Sequence, residues 1–178
     1  MRPFGIAGLQ LQLAKGDNSE RVLGEIAAVK ARLPWVEMVV LGELSLFGPS
    51  TAHAQPMPGE AEAMLCEAAR TAGVWLVPGS LFEQVGDRVY NTAPVINPQG
   101  EVVDRYRKIY PFTPYEQGVT PGDRFVVFDV PGVGRFGLSI CYDMWFPETI
   151  RTLTWMGAEV ILHPGLTNTI DRQAELAI

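Results

Sequence analysis

Apolar positions along this chain switch between a period of about two and a period of about 3.6, and the switches divide it into alternating strands and helices. Residues 4–11 read as a strand, and Asp17 with Glu20 resembles the capping pair of a helix that Pro34 closes. Residues 36–41 form a short, nearly continuous apolar run suited to a strand buried on both faces. Residues 58–71 predict a second helix ended by Gly73, and residues 74–82 return as a strand. Residues 88–96 and 101–107 flank Asn97, Pro98, Gln99 and Gly100, which predicts a hairpin. Residues 125–130 and 135–140 are joined similarly through Pro131, Gly132 and Gly134. A helix is expected over 146–155, before Gly157, and VILHPG closes another apolar strand. This alternation assigns the α/β class.

Three strand ends carry residues with chemical potential. In GRFGLSICYDMWFPE, Cys141 falls on the turn between the strand of residues 136–140 and the following helix. A nucleophile on such a turn points out of the sheet, with the backbone N–H groups after it facing the same space. A small buried hydrophobe is the competing reading of a free cysteine. In VEMVVLGELSLFGPS, Glu43 follows the apolar run directly, where a carboxylate is costly unless solvated, paired or useful. In VVDRYRKIYPFTPYEQGVTPGD, Arg105, Arg107 and Lys108 lead from a strand into a Pro- and Gly-rich loop, where basic residues are usually solvated. Together the three ends supply the parts of thiol-based acyl transfer: Glu43 as general base toward Cys141, and Lys108 as donor to the oxyanion or the leaving nitrogen. A thiol of ordinary pKa, about 8.5, is mostly protonated near neutrality, and a positioned base or a nearby ammonium removes that handicap. In open α/β sheets, groups from the carboxyl ends of several strands converge in one crevice.

LGELSLFG, YRKIYPF and GLSICYDMWFPE, in this order and at this spacing, resemble the nitrilase superfamily of carbon-nitrogen hydrolases. The resemblance runs from FGIAGLQL through GAEVILHP. It implies a Glu-Lys-Cys triad of Glu43, Lys108 and Cys141, and an α-β-β-α sandwich whose copies pair as homo-dimers or higher homo-oligomers. It further implies that Glu116 helps position substrate and lysine, and that the Tyr142 N–H helps bind the oxyanion. Tyr142 and Asp143 after the cysteine look like an amidase or carbamoylase rather than a nitrilase. The implied substrate is a small amide or N-carbamoyl compound, with no metal or organic cofactor. Nitrile hydrolysis or acyl transfer by the same triad is the alternative within enzymes, and a catalytically silent interaction fragment the alternative outside them.

Other candidates are read more plainly. His163 could form a Cys-His pair with Cys141, although a structural histidine at a strand end is the simpler reading. His53 lies in a loop, and Cys66 falls on the apolar side of an amphipathic pattern, which places it in the core. Trp35, Trp75, Trp145 and Trp155 are read as packing residues, Trp145 being near enough to Cys141 in sequence to line a pocket. Asn168 and Asp171 are read as caps of a last helix. With 178 residues, 47% hydrophobic, and two cysteines, the chain suits one domain, 1–178, with a real core and no disulfide framework. A net charge of −6 and the lack of a basic, aromatic-interleaved patch argue against nucleic acid. The apolar run at the N-terminus is too short for a signal or a membrane span, so a cytoplasmic location is expected. Family domains run longer than this, so the C-terminal part of the sandwich is expected to be missing.

Overall fold

The structure, a computed structural model, describes residues 2–113 and 115–167. The expectations for Asn168, Asp171 and the final helix lie outside the described residues. Among the described residues no helix is long and apolar enough to cross a membrane.

Strands β1 (Gly5–Leu9), β2 (Val36–Leu41) and β3 (Trp75–Val77) run parallel, while β4 (Leu81–Val85), β5 (Arg88–Ile96) and β6 (Val102–Arg107) continue the same sheet in antiparallel register. The spatial order is β1-β2-β3-β5-β4, with β6 also paired to β5. A second sheet joins β7 (Val126–Val130), β8 (Gly134–Leu138) and β9 (Val160–Leu162). Helices α1 (Ser19–Arg32) and α2 (Glu60–Ala72) cover one face of the first sheet, and α3 (Pro147–Trp155) lies on the second, where Gly137 accommodates the Leu153 side chain.

The buried alternation in β2 explains the layering. Val39 and Leu41 pack with Val22, Ile26, Leu65 and Ala69 of the helices, whereas Met38 meets Phe128, Phe136 and Leu138 of the second sheet. Each such side chain, removed fully from water, contributes about 1.5–3 kcal/mol. The result is a helix-sheet-sheet-helix order, the sandwich that the motif resemblance implies. The first hairpin forms as expected: the Asn97 Oδ1 accepts from the N–H groups of Gln99 and Glu101.

Two expectations need correction. The α1 start is not a capping box, since Asp17 Oδ1 accepts from the N–H and hydroxyl of Ser19 and no side-chain cap bond forms at Asn18. The helix expected over 146–155 forms as α3, and residues 141–145 make a 3-10 turn before it, because Pro147 can open the α-helix but cannot continue one. Residues 74–82 are two strands rather than one, broken at Pro78, Gly79 and Ser80.

That break matters for the site. Gly79 has φ +76°, and a Cβ there would lie 1.7 Å from the carbonyl oxygen of Gly42, next to Glu43. Gly79→Ala is therefore expected to destabilise by about 2–4 kcal/mol, from left-handed strain plus overpacking against backbone. Gly24→Ala, on the exposed side of α1 with open space around its Cβ, is expected to stabilise by about 0.5–1 kcal/mol. Urea midpoints of the two variants check the opposite signs.

Candidate active site

Glu43 sits two residues beyond β2, Lys108 directly after β6, and Cys141 three residues beyond β8, so the carboxyl ends of both sheets meet. All three, with Glu116, line one cavity of about 360 Å³, whose apolar wall includes Leu13, Leu44, Phe82 and Phe112. The structure thus brings together the four polar side chains singled out from the sequence.

Lys108 is the centre of the arrangement, 1% exposed. Its Nζ donates to Glu43 Oε1 at 2.8 Å and to Glu116 Oε2 at 2.6 Å. Burial opposes its charge, but the two carboxylates outweigh burial and hold its pKa above the ordinary lysine value. An ammonium has three N–H donors, so one is left for a substrate oxygen. Glu116 is fixed further by the Phe112 N–H at 2.5 Å, which places it as a support for the lysine.

Glu43 is oriented atom by atom. Its Oε1 accepts from Lys108 and from the Asn91 side chain at 2.8 Å, while Oε2 accepts from the Leu166 N–H at 3.1 Å. Asn91 was not singled out by sequence. Its Nδ2 bridges Glu43 and Glu116, the second bond being 2.7 Å, while its Oδ1 has no hydrogen-bond partner among the described residues. Leaving a buried acceptor unpaired costs about 1–3 kcal/mol. A polar residue inside the apolar strand RVYNTAPVI was the available signal.

Cys141 has φ +45°, a strained value for a non-glycine residue and typical of a nucleophile held on a sharp strand-to-helix turn. Its N–H donates to the Pro164 carbonyl at 2.9 Å, and its thiol to the Leu166 carbonyl at 3.6 Å. The turn is closed by Asp143, fully buried, whose carboxylate accepts from the Ile140 N–H, the Tyr110 N–H and the Tyr106 hydroxyl at 2.8, 2.9 and 2.7 Å. Burial pushes the Asp143 carboxyl up, against the pull of these donors. The Tyr142 N–H meets no backbone carbonyl among the described residues, as expected in the first turn of a helix.

Burial, followed by the negative charge of Glu43, pushes the Cys141 thiol up to about 11, despite the Lys108 ammonium, which acts the other way. The ammonium is already engaged by two carboxylates, so it offsets only part of this upward push. The arrangement favours a base beside the thiol over a standing thiolate as the route of activation.

The remaining candidates fall away from the chemistry. His163 Nδ1 shares a 2.9 Å hydrogen bond with Ser139, and burial, then Lys108, pushes its pKa down, so it is a neutral strand-end histidine. His53 stacks on Phe47. Cys66 packs against the helix-side core, and burial raises its pKa. Trp75 stacks on Phe128, but Trp35, Trp145 and Trp155 are 63%, 56% and 80% exposed, and Trp145 does not line the cavity. Arg105 and Arg107 are not merely solvated: they pair with Glu62 at 2.6 Å and Glu83 at 2.7 Å.

The same chain matches the family model described as carbon-nitrogen hydrolase over residues 6–176. It is 33% identical over 183 residues to an omega-amidase NIT2 of Homo sapiens, covering 94% of this chain and 65% of that protein. A nitrilase of Pyrococcus abyssi is 44% identical over 114 residues, 63% of this chain and 42% of that protein. The chain thus spans less than two thirds of the length of these relatives. Among solved structures, Saccharomyces cerevisiae Nit3, a member of branch 10 of the nitrilase superfamily, superposes with a TM-score of 0.87 at 27% identity, over 98% of this chain and 69% of that one. A glutamate-to-glutamine mutant of an amidase from Nesterenkonia sp. AN1, with acrylamide added at its active site cysteine, superposes with a TM-score of 0.84 at 26% identity, over 97% and 70%.

Proposed function

We propose that this chain, which belongs to the carbon-nitrogen hydrolase family, forms the catalytic part of an amidase that hydrolyses a small amide through a thioester on Cys141. One observation carries the reading: Cys141, Glu43, Lys108 and Glu116 line one cavity, with Lys108 bonded to both carboxylates.

The substrate carbonyl carbon approaches Cys141. The thiol proton passes to Glu43 Oε2, which is the better placed oxygen because Oε1 already accepts from Lys108 and Asn91. The S–C bond forms, and the carbonyl electron pair moves to oxygen, where the third N–H of Lys108 and the Tyr142 N–H stabilise it. Collapse of the tetrahedral species breaks the C–N bond. The nitrogen takes the proton held by Glu43 and leaves as ammonia or an amine. Water then enters, gives its proton to Glu43 and attacks the thioester carbonyl. Breaking the C–S bond releases the acid, and the sulfur recovers its proton from Glu43. The amine leaves before water reacts with the acyl-enzyme, so the kinetics are ping-pong.

The cavity, about 360 Å³, is at the small end of ligand pockets and suits an acyl group of a few carbons. Its wall is mostly apolar, with Lys15 and Asn18 on one side. The test measures ammonia and acid release from butyramide, from the mono-amide of a short dicarboxylic acid, from an N-carbamoyl compound and from butyronitrile. Turnover of at least one amide or carbamoyl compound, faster than the nitrile, is expected. A folded protein that releases ammonia from none of them, or from the nitrile alone, overturns the reading.

The Nesterenkonia amidase, whose cysteine-to-alanine mutant is described in complex with butyramide, motivates the first member of that panel. Pairing into a homo-oligomer and a cytoplasmic setting stay part of this proposal.

A further inference from the structure

We infer that Asn91 is a positioning residue of this site, a neutral clamp that fixes Glu43 and Glu116 around Lys108 without adding charge. The inference rests on the amidase reading above and gives a role to a residue that takes no part in that reading's bond-making steps.

Asn91 lies within β5 and is fully buried. Its backbone and its side chain serve the same centre. The Asn91 carbonyl accepts the Lys108 N–H at 2.8 Å, continuing the β5-β6 pairing by one residue, so the strand carrying Asn91 also sets where Lys108 begins. Its two amide N–H groups go one to Glu43 Oε1 and one to Glu116 Oε1. That division fixes the orientation of the amide, because the flipped form would set its oxygen against two anions. The Oδ1 is left without a partner among the described residues. The side chain thus satisfies the carboxylates in preference to itself.

The residue type follows from the charge already present. Two carboxylates face one ammonium, and all three groups are buried. An aspartate here would add a third anion with no donor to offer. A lysine or arginine would neutralise Glu43 and weaken it as a base. An amide supplies two donors at zero charge and occupies one oxygen of Glu43, so that Oε2 is the oxygen left to take the thiol proton. The adjacent Thr92 supplies an internal comparison. It is equally buried on the same strand, but its hydroxyl donates to Glu83 at 2.7 Å, away from the cavity.

Asn91→Ala and Thr92→Val test the inference, using steady-state hydrolysis of an amide that the parent protein turns over, together with the thermal midpoint. Asn91→Ala is expected to lower kcat and kcat/KM alike by about 10²-fold, the effect of a misplaced catalytic group, with KM changed by less than about threefold. Single-turnover acylation of Cys141 falls in parallel. Thr92→Val is expected to lower the midpoint at least as far while keeping kcat within about twofold. Should Asn91→Ala not fold, Asn91→Ser carries the test, since its one hydroxyl donor can serve a single carboxylate and its kcat should fall by about tenfold. An Asn91 variant that folds and keeps kcat within about threefold, or a Thr92→Val loss of kcat as large as that of Asn91→Ala, overturns the inference. A loss confined to KM does the same. Activity persisting in Cys141→Ala would instead remove the amidase reading itself, so the two failures are distinguishable.

Discussion

Replacing Lys108 by methionine is expected to lower amide hydrolysis by about 10³-fold and to destabilise the protein by about 3–5 kcal/mol. Both effects come from one geometry. The ammonium is the partner of Glu43 at 2.8 Å and of Glu116 at 2.6 Å, all three being buried. Methionine fills similar volume but strands two carboxylates beside one another. It also removes the N–H that the proposed mechanism directs to the oxyanion. The two losses can be separated. Adding Glu116→Gln to Lys108→Met removes one stranded charge and should recover part of the stability with no recovery of turnover. Urea unfolding and ammonia release, run on both variants, check the split. Equal stability of Lys108→Met and the parent would contradict the buried ion triad.

Glu43→Gln is expected to lower hydrolysis by about 10²–10⁴-fold while making the Cys141 thiol more acidic. These signs are opposite because Glu43 does two things in the proposed mechanism. As a base it takes the thiol proton, and as an anion it adds to burial in pushing that thiol up to about 11. Removing the charge lowers the titration midpoint but leaves no acceptor for the proton in the reaction. Ultraviolet thiolate titration on a Cys66→Ser background measures the midpoint, since the Cys66 thiol is also pushed up. The linkage has a definite sign. A thiol whose folded pKa exceeds its unfolded value of about 8.5 contributes stability that is complete below that value and lost as pH rises through about 11. A parent midpoint at or below the ordinary value would mean a standing thiolate beside Lys108, and a different activation route.

Much of the site was legible because its residues break a local pattern. Glu43 and Lys108 are charges at the ends of apolar runs, and Cys141 ends a strand that alternates small and bulky groups, so each stood out without a partner in view. Asn91 did not stand out, since one amide in a strand is unremarkable until two carboxylates are seen on its nitrogen. The Pro164, Gly165 and Leu166 segment was equally hidden. Its backbone groups bond to Glu43 and Cys141, and backbone contacts of this kind carry no side-chain signature. Strand periodicity gave the right elements but missed the break at Gly79, because the cause is a close approach to Gly42 from another strand. Similarly, the pairing of Arg105 and Arg107 depends on Glu62 and Glu83, which lie at least 24 residues away along the chain.

The central claim is a covalent acyl bond to Cys141, and intact mass after a short pulse of amide, quenched in acid, tests it most directly. The account predicts that the parent protein gains the mass of the acyl group and Cys141→Ala gains none. It also predicts slow loss of the adduct from Glu43→Gln if any forms, since the base for the second half-reaction is gone. Turnover by the parent with the adduct borne elsewhere, or an equal adduct on Cys141→Ala, would contradict it.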